Sequence, residues 1–122
     1  MSTLEVSNLN DGTTTVATTF ITNGSAKVWV NFTGTGTVAI DDSLNTSSIT
    51  DNSTGRYEAN PTNHFANANY CITHDGLLAA GNGWFMSYFD KTSSNVELLY
   101  ISTLGSYTNC ADASVVYFGE LA

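Results

Sequence analysis

Lysine and arginine are nearly missing from this sequence. Lys27, Arg56 and Lys91 are the only three in 122 residues, against 11 acids, and the formal net charge is −8. Three scattered cations cannot neutralise a run of phosphates, which excludes a nucleic-acid surface. They give equally little hold on an anionic membrane. No window approaches about 18 consecutive apolar residues, so no membrane insertion is expected. Met1-Ser2-Thr3-Leu4-Glu5 has neither the basic start nor the apolar run of a secretion signal, which predicts folding in a cytoplasm. In that compartment the four Asn-x-Ser/Thr sequons, at Asn23, Asn31, Asn45 and Asn52, are products of composition rather than glycan sites. The two cysteines, Cys71 and Cys110, then read as buried thiols acting as small apolar residues, with a disulfide as the alternative under oxidising conditions.

The motifs of catalysis are missing too. No serine sits in a Gly-x-Ser-x-Gly elbow, and no glycine loop is built to cradle phosphate. Cys71 and His74 are three apart, and Cys110 or His64 could complete a zinc set. The spacing fits no zinc class, however, and strand alternation puts Cys71 and His74 on opposite faces. Asp41, Asp42 and Asp51 lack the one-apart carboxylate spacing of a calcium loop. Acid pairs for glycoside hydrolysis meet only in space, but no acid here is flanked by an obvious apolar pocket. The expectation is a non-enzymatic protein with no catalytic residue, no cofactor and no metal.

What fills the chain instead is Thr (18), Ser (13), Asn (13) and Gly (10), together 54 residues of 122. Charged residues make up 11%, against about 25% in an ordinary globular domain. Hydrophobic residues still reach 42% and aromatics 11%, enough for a folded core. Proline occurs once, at Pro61, so turns fall to Gly, Asn and Asp.

Residues 1–25 are Thr-rich and thin in large apolar groups. They read as an extended N-terminal arm, with short extended pieces at Leu4–Val6 and Val16–Phe20. From Ala26 to Ala122 the pattern is a single domain. Ala26, Val28, Val30 and Phe32 share one strand face, and Lys27, Trp29 and Asn31 the other. Thr37–Ile40 forms a second run. Asp41 to Gly55 is mostly polar, with Leu44 and Ile49 as inward pegs. Further runs are Arg56–Asn60, Asn69–His74, Trp84–Phe89, Val96–Thr103 and Ser114–Phe118. Only Leu77-Leu78-Ala79-Ala80 suggests a helical turn. Six or seven short strands at this spacing predict an all-β, antiparallel β-sandwich of jelly-roll-like type.

Three strands are apolar on both faces, whereas a half-solvated strand should be polar on one. Trp84, Met86 and Tyr88 oppose Phe85 and Phe89; Val96, Leu98 and Tyr100 oppose Leu99 and Ile101; Val115 and Tyr117 oppose Val116 and Phe118. A small two-layer domain has little to cover a second face except another copy of itself. Trp84, Phe85, Met86, Phe89, Leu99, Ile101, Val116 and Phe118 are therefore expected to divide between core and subunit interface. Trp29 and Tyr57 are candidates for stacking on sugar rings.

Several blocks resemble one family in order along the chain. They are Ala26–Phe32, Gly34–Val38, Ser47–Asn52 with Thr54-Gly55 and Tyr57, Ala68-Asn69-Tyr70, and Asp112–Val116 with Phe118-Gly119. They are similar to a tail-fibre and virion surface domain of bacteriophages of marine bacteria and cyanobacteria. Members of that family more often carry a base at Asp41 or Asp42 and an acid at Arg56. The resemblance implies a β-rich, trimeric, non-enzymatic module on a virion, assembled in the host bacterial cytoplasm. Its implied partners are copies of itself, other fibre, tail or capsid proteins, and a host cell-surface glycan. Two alternatives stand beside a fibre or knob role: a capsid decoration protein anchored by residues 1–25, and a free carbohydrate-binding module.

Overall fold

A computed structural model describes residues 3–77, 84–102 and 105–122. Within them eight strands follow the arm: β3 (Ala26–Thr33), β4 (Ala39–Leu44), β5 (Thr46–Ser53), β6 (Arg56–Pro61), β7 (Cys71–Leu77), β8 (Trp84–Lys91), β9 (Val96–Ser102) and β10 (Asp112–Phe118). They form two antiparallel four-stranded sheets, ordered β4-β3-β10-β7 and β5-β6-β9-β8. This is the all-β antiparallel sandwich that the turn-punctuated pattern predicts, although sequential neighbours β3-β4, β5-β6 and β8-β9 pair within one sheet, which is not the strand order of a jelly roll.

Strand alternation builds the core. Val28, Val30 and Phe32 of β3 and Ala113, Val115 and Tyr117 of β10 face Tyr57 and Ala59 of β6 and Val96, Leu98 and Tyr100 of β9; all are fully or almost fully buried. Phe65 and Tyr70 close one end, their rings stacked with centroids 4.0 Å apart. The Tyr57 hydroxyl ties the sheets together. It lies 2.6 Å from the Gly34 carbonyl oxygen and 3.0 Å from Asn109 Oδ1, and the Gly34 N–H donates to the Cys110 carbonyl at 2.9 Å. Burial raises the pKa of that hydroxyl, so it stays a donor.

The polar stretch Asp41–Gly55 is not a loop. It forms β4 and β5, because hydroxyls and amides pair across strands where apolar contacts are few. Ser47 Oγ donates to the Asn60 carbonyl at 2.8 Å, and Asn60 Nδ2 donates to Ser48 Oγ at 3.3 Å and Thr50 Oγ1 at 3.2 Å. Ile49 packs against the core as an inward peg, but Leu44 points outward opposite Trp29. Asn45 alone connects β4 in one sheet to β5 in the other, with φ of 53°, a left-handed conformation that Asn tolerates better than most residues.

The arm also differs from expectation. Its strands are β1 (Asn8–Asn10) and β2 (Thr15–Ala17), paired as a hairpin, followed by the helix α1 (Thr18–Gly24). Leu4–Val6 has no strand partner, and Thr18–Phe20 is helical rather than extended. Once β2 ends, the Ser25 N–H can donate to the Ile21 carbonyl and the Lys27 ammonium, at 3.2 Å, can cap the same oxygen. Those C-terminal bonds offset the weak helix propensity of Thr. The helical turn expected at Leu77–Ala80 falls outside the described residues except for Leu77, which ends β7. No arm side chain enters the core.

Gly76 marks the tightest packing. A Cβ there would overlap Cys110 Sγ and come within 2.8 Å of the Tyr100 ring. Gly76→Ala is therefore expected to cost about 1–3 kcal/mol through overpacking. Tyr57→Phe is expected to cost about 1–3 kcal/mol by leaving the Gly34 carbonyl buried without its donor. Urea unfolding of both variants checks these values.

Candidate functional site

The two sheets have four edges. At one side of the sandwich β4 and β5 are joined directly and lie against each other. At the other, β7 and β8 are edge strands with no pairing between them among the described residues. The sandwich opens here. A groove of about 590 Å³ runs between the two edges, lined by Ile72, Thr73 and His74 from β7 and Phe85, Met86, Ser87 and Tyr88 from β8.

Register decides which way β8 side chains point. Met86 and Tyr88 pair with Tyr100 and Leu98, so they lie on the inner face above the core. Phe85 and Ser87 pair with Ile101 and Leu99, and with Phe89 they form the outer face. Both faces are open: Phe85 is 64% exposed, Phe89 70%, Tyr88 50% and Met86 39%. An edge strand with large apolar groups on both faces and an unpaired backbone is a template for another chain.

The outer face extends inward across β9. Tyr107 pairs with Ile101 beyond Phe85, making an apolar row across the sheet. Next to it Arg56 lies over the rings of Phe89 and Tyr107, at 5.4 and 5.7 Å from their centroids. Its guanidinium binds Glu97 through two bonds, Nε to Oε1 at 3.1 Å and Nη2 to Oε2 at 2.9 Å, and Asn52 Nδ2 donates to the same carboxylate at 3.0 Å. These bonds, Arg56 first, hold Glu97 below the usual carboxylate range. A paired arginine over aromatic rings is a motif that protein interfaces favour, and its charge is already matched.

The expected interface residues thus separate. Phe85, Phe89, Leu99 and Ile101 share the outer face of the β8 sheet, although Leu99 is only 6% exposed. Met86 faces the groove. Trp84 opens β8, and its side chain falls outside the described residues. Val116 and Phe118 are half-buried on the outer face of the other sheet, beside Trp29 and Cys71 in register. None of the seven whose side chains are described belongs to the central core cluster, which takes the alternate residues of β9 and β10. Tyr57 is a correction: it is fully buried and bonded to Gly34, so it cannot stack on a sugar. Trp29 stands half-buried on the opposite sheet, far from any partner that Tyr57 would have supplied. Tyr107, Arg56 and Ile72 were not legible as site residues. Only long-range register brings them to β8.

Cys110 is buried as expected, its thiol 3.0 Å from the Asp112 carbonyl and its pKa raised to about 11 by burial. Cys71 is a correction: it is exposed on the outer face and unpaired, because it begins an edge strand. Asp41 and Asp42 sit on β4, bonded to Thr33 and to the Ser43 N–H, while Asp51 is on β5, so they share no site. Among the described residues no three His, Cys, Asp or Glu side chains cluster to hold a metal, and no helix is long and apolar enough to cross a membrane. No family model, curated protein or solved structure matches the chain.

His74 forms part of the groove wall. Its ring meets Tyr100 edge-on at 5.5 Å, and its Nδ1 is buried without a hydrogen-bond partner. Burial lowers its pKa below 6.5 despite the opposing pull of Asp75. The unfolded chain therefore binds a proton that the folded chain refuses as pH falls through 6.5 towards the lowered value. Stability should fall over that window. Urea midpoints at pH about 7 and about 5.5 should show a smaller loss in His74→Leu than in the unaltered chain.

Proposed function

We propose that this chain is a non-enzymatic structural module of a phage virion surface that assembles with copies of itself through the β8 side of the sandwich. Its role is a fibre or knob unit that meets the host or docks on another fibre protein. Three copies per assembly is the number the family resemblance implies. Two kinds of support are separate. The virion attribution rests on the ordered sequence blocks; the self-association rests on β8, whose four large apolar side chains are open on both faces.

Magnitudes decide how much of β8 must be covered. An aromatic side chain carries about 150–250 Å². With half to 70% of such a ring exposed, covering it at about 25 cal/mol per Å² recovers on the order of 2–4 kcal/mol. Association costs an estimated 4–15 kcal/mol before any gain shows. One ring is not enough, but both faces of β8 with Tyr107 are. Among the described residues the arm is the other place where large apolar groups are exposed together.

One observation favours the decoration alternative. The arm exposes Leu4, Val6, Leu9, Val16, Phe20 and Ile21 while adding nothing to the core, which suits an anchor. The free sugar-binding reading is weakened, since Tyr57 is withdrawn from its stacking pair.

Light scattering of the purified chain is expected to give three times the 13.0 kDa chain mass. Phe85→Ser combined with Phe89→Ser should lower it to one chain, with the far-ultraviolet spectrum unchanged because both rings are exposed. A single-chain mass for the unaltered protein contradicts self-association.

A further inference from the structure

We infer that the segment Thr3–Ser7 of one copy lies in the β7–β8 groove of a neighbouring copy, adding a strand along β8 with Leu4 and Val6 over the groove floor. This rests on the self-association proposed above and names the contact that carries it.

The segment is lightly held where it stands: only its end is bonded, the Val6 and Ser7 carbonyls accepting from Thr18, and those bonds are exchanged when the segment moves to a neighbour. Among the described residues Thr3 to Val6 has no strand partner in its own subunit, and Leu4, at 82% exposure, is the most exposed of the large hydrophobic residues described. In extended form Leu4 and Val6 share one side, and Thr3, Glu5 and Ser7 the other. That alternation fits an apolar floor below and solvent above.

β8 is the edge suited to receive it. The other edges carry features that discourage pairing along their length: two acids and a bulged register on β4, two irregularities and Asp51 on β5, Asp75 on β7; on β8 the irregularity and the charges, Asp90 and Lys91, fall at its far end. The span Phe85–Phe89 carries no charge at all. An unprotected edge beside an apolar groove is the setting for strand addition, in which main-chain bonds give affinity and alternate side chains give register.

Charge agrees in sign. The arm contains Glu5 and Asp11 and no Lys or Arg, and no acid lines the groove itself; at its end Lys91 lies 5.6 Å over the Tyr88 ring, with Asp90 beside it in sequence.

Donor and acceptor are different surfaces of one chain, so the contact can run head-to-tail, which gives a ring where the rotation between copies closes. That geometry accommodates three copies without a two-fold axis.

The test uses the full chain carrying Leu4→Asp and Val6→Asp, two exposed sites where substitution leaves the sandwich intact. Light scattering should fall from the oligomer to a single chain. A fluorescent peptide of residues Thr3–Asn10 should then bind that variant, and the same peptide with both aspartates should bind at least about tenfold more weakly. Adding Met86→Glu to the variant should abolish binding of the unaltered peptide. An oligomer unchanged by the arm substitutions overturns this contact and leaves the self-association reading standing. A single-chain mass for the unaltered protein overturns both. Dissociation without peptide binding overturns the assignment to β8.

Discussion

Asn45 sets where this sandwich is closed. One residue in a left-handed conformation carries the chain from β4 in the first sheet to β5 in the second. Its side chain holds the corner, donating to the Lys27 and Asn63 carbonyls and accepting from the Asn63 N–H at 2.8 Å. The β4 and β5 edges are thereby fixed together. The opposite edges, β7 and β8, show no pairing between them among the described residues, and six residues separate them in sequence. The core then fills the middle, anchored by Tyr57 across the sheets, and the apolar surplus collects at the open side. The exposed rings of β8 follow from that asymmetry.

The same asymmetry gives the polar surface a physical sense. A surface of hydroxyls and amides has weak long-range fields and changes little with salt. Its short side chains cost little entropy when fixed against a neighbour. Across β5 and β6 those groups already serve as a cross-strand ladder, with Asn60 bonded to Ser48 and Thr50. The charge that remains is nearly all acidic, which keeps separate copies soluble. Two of the three cations stand at β8 instead, Arg56 matched by Glu97 and Lys91 bonded to the Tyr70 carbonyl at 2.8 Å.

Much of the fold was legible because alternation is a local signal. Period two sorted the residues of β3, β9 and β10 into the two faces that the structure shows, down to Val28, Val30 and Phe32 against Lys27, Trp29 and Asn31, but on β9 and β10 it did not say which face points inward. Strands made of Ser, Thr and Asn were not legible, since β4 and β5 have no apolar rhythm and depend on side-chain bonds to partners far along the chain. The helix at Thr18–Gly24 was missed for a related reason: Thr propensity argues against it, and the Ile21 carbonyl is capped from outside by Lys27. For the site, sequence identified β8 as two-faced but could not show that it lies at an edge. Strand order decided that Leu99 is covered and Phe89 is not. Tyr57 misled because an aromatic in a strand looks the same in a list whether it faces solvent or core.

The most direct test of the central claim is hydrogen exchange at the backbone amides of β8 as a function of protein concentration. If another copy covers this edge, amides between Trp84 and Lys91 should become protected as concentration rises, while those of β3 and β10 keep constant protection. Rapid exchange along β8 at every concentration, in a protein otherwise folded, would contradict the account.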